Sequence, residues 1–299
     1  MSSSTLESPV RVGGAGSVLL AAALWGTTGT VMTYAPAAAG PVSVGAARIV
    51  IGGLLLLAVA GYGDGLRRLF RGGPRVWGLL GLGAVCVAGY QTAYFEAVSR
   101  TGVATGTIVT IGSGPMFAGL LAVLLGAARP GRRWLVSTGG AVLGCAALVG
   151  GGQQSGVEPV GVLLALISGF GYASYATIAG TLIGRGEDDR AVVAGLFAGA
   201  GILLLPVLLW SGPAWLASPR GVAVAAYLGV ITTTLGYLWY GRGLRTTPVA
   251  VATTLTLAEP AVAAVLGFTL LDERLGLPAL LGLVVLAASL LLVLPTRTE

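Results

Sequence analysis

Ten apolar stretches of about 20 residues, bounded by Arg, Pro or Gly clusters, occupy this chain almost from end to end. They lie near 15–34, 42–61, 75–97, 102–126, 133–151, 160–183, 191–210, 220–241, 246–270 and 276–294. A helix of that length crosses the roughly 30 Å hydrocarbon layer of a bilayer, and no single water-surrounded core has room for ten. Only 9% of the residues are charged and the mean hydropathy is +0.90; a soluble domain carries roughly 25% charged residues. The expectation is an all-α integral membrane protein. The longest polar connection, YGDGLRRLFRGGPR at 62–75, is too brief for a soluble domain. Ala35-Pro36-Ala37 resembles a cleavage site after an apolar run. The first stretch is nevertheless read as a span, because it has a counterpart later in the chain.

The 17 basic residues are all Arg and sit in short clusters between the apolar runs, not along one face. Membrane topology explains them, and no nucleic-acid partner is expected. The two cysteines, Cys86 and Cys145, lie inside apolar segments, and there is no His. A disulfide framework, a His-based metal site and a Ser-His triad are therefore without support, and no cofactor, metal or catalytic residue is expected. No Lys exists to complete a phosphate-binding P-loop, so ATP-driven transport would need another chain.

A second regularity is an internal repeat. Sliding the sequence by 145 positions superposes Arg100-Thr101 on Arg245-Thr246, Pro115 on Pro260, Ala118 on Ala263, Leu121 on Leu266, Leu125 on Leu270 and Arg129 on Arg274. The same shift lays Trp25-Gly26 on Phe170-Gly171. One gapless offset across the first and fourth spans of each half argues for a duplicated five-span unit, divided as 1–151 and 152–299. Five is odd, so the halves must be inverted, an architecture frequent among secondary transporters with a solute site near the bilayer midplane. With the N-terminus inside, thirteen Arg fall on the inner side and three, Arg100, Arg220 and Arg274, outside, while Arg48 lies within a span. Both termini are therefore expected to be cytoplasmic, in the inner (plasma) membrane.

YFEAVSRTGVATGTIVTIGSGPMF, Tyr94 to Phe117, and AEPAVAAVLGFTLLDERLGLPALLG, Ala258 to Gly282, together resemble the two EamA repeats of the drug/metabolite transporter superfamily. Glu259-Pro260 and the closing acidic-basic pair Glu273-Arg274 match the pattern of the second repeat. The resemblance covers nearly the whole chain. It implies ten transmembrane helices around a central cavity and a carrier that exports amino acids, other metabolites or drugs, without naming the solute.

Individual residues then suggest roles. Pro260 removes a backbone N–H and disfavours helical geometry at Glu259, so Pro260 and its repeat mate Pro115 are expected to break their helices. A charge at the depth of Glu259 costs about 2.5–3.5 kcal/mol. It is either a protonatable carboxylate facing the cavity, able to couple a proton to solute movement, or a brace for the broken helix. Its repeat mate is the uncharged Gly114. Arg48 and Glu96 are expected at similar depth on the outer side, where they gate the outer mouth, meet the charged ends of a zwitterionic amino acid, or form a buried ion pair. Trp77, Trp134, Trp210 and Trp215, at span ends, read as interfacial belt residues. Trp25, Tyr90, Tyr94, Tyr172 and Tyr175 fall deeper and are either cavity wall or helix packing, with Gln91 and Thr232 to Thr234 as added polar groups.

The expected partners are a small-molecule solute, an amino acid or metabolite, and membrane lipid, with the chain acting as a monomer. The competing readings are a multidrug exporter and an intramembrane enzyme that relies on carboxylates such as Glu259 and Glu96.

Overall fold

A computed structural model describes residues 12–127, 130–149, 158–270 and 276–294. The pair Glu273-Arg274, and Arg11, Arg129 and Arg297 of the charge pattern, lie outside the described residues. The described residues form helices and turns: α1 Val12–Met32, α2 Pro41–Gly61, the short α3 Gly65–Phe70, α4 Gly73–Gly102, α5 Thr105–Leu124, α6 Arg132–Val149, α7 Pro159–Gly184, α8 Asp189–Trp210, α9 Pro219–Leu244, α10 Val249–Leu270 and α11 Leu277–Val293. Eight of them are long and apolar enough to cross a membrane; α6 and α11 are shorter or less apolar. Helix is the form that lets each backbone group bond within its own segment, as a lipid surround demands.

Starts are marked by proline, whose missing N–H is an orphan in the first turn anyway: Pro41, Pro159 and Pro219 each open a helix. The Asp188 side chain accepts from the Ala191 N–H at 3.0 Å to cap α8. Outward faces are apolar, with Leu54, Leu143 and Ile202 exposed as lipid-facing side chains are.

Between α4 and α5 the chain reverses at Gly102, with φ 80° and ψ 159°, a region nearly closed to residues with a Cβ. A methyl group at Gly102 would touch nothing within 4 Å, so backbone strain alone decides its effect. Gly102→Ala is expected to cost about 1–3 kcal/mol, read as a lower Tm in detergent. Gly78→Ala, equally open and with ordinary backbone, should not lower it.

The helices pack in an exchanging pattern. α1 lies against α9 and α10, as α7 lies against α4 and α5; α2 packs on α8, and α6 on α11. Local contacts set direction. A Cβ at Gly53 would stand 2.6 Å from the Phe197 carbonyl, and one at Gly201 3.4 Å from the Ile49 carbonyl, so α2 and α8 run antiparallel. The Ser137 hydroxyl donates to the Ser289 carbonyl at 2.6 Å, and a Cβ at Gly144 would fall 2.8 Å from the Gly282 carbonyl, so α6 and α11 also run antiparallel. Glycine at these crossings lets backbones touch.

Three expectations need correction. Pro115 does not break its helix: α5 continues through it from Thr105 to Leu124, because proline removes only one hydrogen bond and close packing of Gly169 on Thr110 and Ser113 holds the helix. In α10 the break falls before Pro260, at Thr256 and Leu257, and Glu259-Pro260 occupy the first turn of the second segment, Ala258–Leu270, where proline is tolerated. Trp134 and Trp215 are no belt residues. They are 8% and 3% exposed, and their indole N–H groups donate to the Ala250 carbonyl at 3.0 Å and the Ser43 hydroxyl at 2.9 Å. Trp77 and Trp210 stand exposed.

Candidate functional site

The interior of the helix bundle holds an aromatic cluster. Trp25 of α1 meets Tyr237 and Tyr240 of α9 at ring distances of 4.8 and 5.4 Å. Tyr237 lies 3.8 Å from Phe197 of α8, and Tyr175 of α7 packs 5.6 Å from Tyr90 of α4 and 5.5 Å from Tyr172. Tyr175, Tyr240 and Phe197 are among the largest fully buried side chains. Small residues make the room. A Cβ at Gly236 would fall 2.5 Å from the Trp25 indole nitrogen, and one at Gly171 would crowd Tyr90 and the Cys86 carbonyl.

Hydroxyls inside this cluster tie helices together, since a buried phenol needs a partner. The Tyr90 and Tyr237 hydroxyls lie 3.1 Å apart, joining α4 to α9. Tyr94 reaches Thr107 of α5 at 2.9 Å, and Tyr172 reaches Thr256, at the α10 break, at 2.9 Å. The Trp25 N–H donates to the Thr232 carbonyl at 2.8 Å. That carbonyl sits in a π-helical stretch of α9, Leu228–Leu235, whose wider turns are a common device at functional sites. The Tyr175 and Tyr240 hydroxyls, by contrast, have no partner.

Two opposite charges complete the interior. Arg48, half-buried on α2, donates from Nη2 to the Gln91 Oε1 at 3.4 Å. Glu259, half-buried at the start of the second α10 segment, lies within electrostatic reach of Arg48, Tyr94, Tyr172 and Cys145, with no ion pair to Arg48 within 4 Å. The first half differs at the equivalent place for a packing reason. A Cβ at Gly114 would stand 2.8 Å from the Tyr172 ring, so the position that carries a carboxylate in one half is filled by a neighbour's ring in the other.

The structure therefore brings together Trp25, Tyr90, Gln91, Tyr94, Tyr172, Tyr175, Arg48 and Glu259, drawn from α1, α2, α4, α7 and α10. It separates Arg48 from Glu96. Glu96 is exposed and accepts from Arg100 at 2.8 Å; Arg100 also holds Glu158 at 3.0 Å. Arg100 stands one turn along the same helix and at the surface, so this pair forms without burying either charge. The sequence reading passed over Phe197, Tyr237, Tyr240 and Thr256. For the two tyrosines a signal was present: they stand three apart on one helical face inside an apolar run, much as Tyr90 and Tyr94 stand four apart.

Residues 13–150 and 159–294 each match the EamA-like transporter family. The chain is 38% identical over 277 residues to the uncharacterized transporter YwfM of Bacillus subtilis (strain 168), covering 92% of each chain. It is 26% identical over 282 residues to the uncharacterized inner membrane transporter YicL of Salmonella typhimurium (strain LT2), covering 93% of each. One crystal structure superposes with a TM-score of 0.80 at 19% identity, over 94% of this chain and 96% of that one, a likeness of fold.

Proposed function

The chain belongs to the EamA-like transporter family, and we propose that within it the protein is a secondary transporter exporting amino acids or related small metabolites by alternating access. In this reading the two halves, 1–151 and 152–299, are inverted five-span repeats that make ten transmembrane helices in an inner-membrane monomer with both termini cytoplasmic. The exchanging helix contacts and the antiparallel crossings of α2 with α8 and of α6 with α11 support the inversion. The Arg bias supports the orientation.

One observation carries the choice of solute. Among the described residues, the aromatic interior holds one cation, Arg48, and one anion, Glu259, that do not neutralise each other through an ion pair. Unpaired charge at this depth is costly and marks a solute or proton path. A zwitterion with an apolar side chain supplies both counter-charges and a surface for the rings.

The test is counterflow. Purified protein in proteoliposomes preloaded with a mixed amino-acid panel should concentrate external labelled amino acids, and an imposed pH gradient should drive net accumulation. Counterflow of lipophilic cations with none for any amino acid would replace this reading with a multidrug exporter. A turnover product formed in detergent would replace it with an enzyme.

A further inference from the structure

We propose that Arg48 and Gln91 form a two-pronged donor site that receives the carboxylate of the transported solute. This rests on the reading of the protein as a carrier of amino acids or related metabolites, and names the residues that would recognise one end of them. Gln91 is 3% exposed, and its Nε2 has no hydrogen-bond partner; the Nε of Arg48 is likewise buried and unpartnered. Both unsatisfied groups are donors. The amide oxygen of Gln91 is already engaged by Arg48 Nη2, which fixes the amide so that its NH2 is the free end. A guanidinium stays charged inside proteins, so the missing partner is an acceptor and is anionic.

Among the described residues no carboxylate supplies that acceptor, and the neutral Tyr90 hydroxyl beside Arg48 is shared with the Tyr237 hydroxyl at 3.1 Å. Glu96, the carboxylate closest in sequence, is held by Arg100 at the surface, and Glu259 makes no ion pair with Arg48 within 4 Å. A buried donor left empty forfeits its hydration without a replacement bond, so the site is complete only when occupied. Carboxylate matches best. Its two oxygens suit two donors side by side, the fork by which arginine reads planar anions. One cation also balances one negative charge, whereas a phosphate dianion would leave a second charge buried.

Binding in detergent tests the fork without transport. The probes are the twenty L-amino acids, their amides, 4-methylpentanoate as a carboxylate with no amine, and inorganic phosphate. For each amino acid that binds, the acid should outbind its amide about tenfold or more, the scale of charge-assisted hydrogen bonds. Arg48→Gln should collapse that ratio toward one, and Gln91→Leu, which removes one of the two donors, should lower it, both leaving amide binding in place. Gln91→Met serves if the leucine variant does not fold.

Equal affinity for acids and amides would leave the donors to cavity water and overturn the proposal. So would an unchanged ratio in the folded variants, or phosphate displacing every carboxylate. The two readings fail separately. Binding of 4-methylpentanoate that needs Arg48 and Gln91, with no amino-acid counterflow, sustains the fork and removes the amino-acid reading. Amino-acid counterflow with an unchanged acid-to-amide ratio does the reverse.

Discussion

Glu259→Gln is expected to abolish pH-driven accumulation in proteoliposomes while solute-for-solute exchange continues. Glutamine matches the carboxyl in size and keeps one acceptor oxygen, so contact with a solute's amine is weakened but retained, and exchange persists at higher solute concentration. What it loses is the ability to pick up and release a proton. The position is demanding because Glu259 sits in the first turn after the α10 break, with its carbonyl 2.8 Å from where a Cβ of Gly26 on α1 would lie. A proton and an amine competing for that one carboxylate would force their alternation, which is how an antiporter couples its two fluxes. Accumulation at the wild-type level in Glu259→Gln would make the residue a structural brace.

The second large effect is on assembly. Gly282→Leu should remove folded, monodisperse protein from detergent extracts, because a Cβ there falls 2.5 Å from the Leu148 amide nitrogen and 2.6 Å from the Gly144 carbonyl. Backbone cannot swing aside as a side chain can, so the cost reaches or exceeds the roughly 1–3 kcal/mol typical of overpacking. Gly139→Leu on α6, with nothing within 4 Å, is the matched control and should elute normally. Normal elution of both variants would mean that α6 and α11 are not held together backbone to backbone.

Much of this molecule is legible from its sequence, and the remainder divides by physical cause. The helices follow from apolar length, since lipid leaves few other options, and the 145-residue offset anticipates that α1 and α7 take equivalent places. Position along a helix is readable; direction around the helix axis is not. That is why Trp134 and Trp215 turn inward from span ends, and why Arg48 meets Gln91 while Glu96 meets Arg100. Proline is a weak guide where neighbours pack tightly, as at Pro115, and Gly102, with its positive φ, reverses the chain without a distinctive signal among 50 glycines. The π-helical stretch of α9 receives the Trp25 N–H at its Thr232 carbonyl, a contact between residues 207 positions apart that no local pattern encodes.

The crossing of α6 and α11 has two ends that the duplication makes equivalent: the 145-residue shift carries Ser137 to Gly282 and Gly144 to Ser289. One end is now glycine on glycine and the other serine on serine, with a hydroxyl donated across it. The helices can close to bare backbone at the first end and are propped by two hydroxymethyl groups at the second. The two ends of this crossing, alike in their place in the repeat, are therefore held by different forces, bare backbone contact at one and a hydrogen bond at the other.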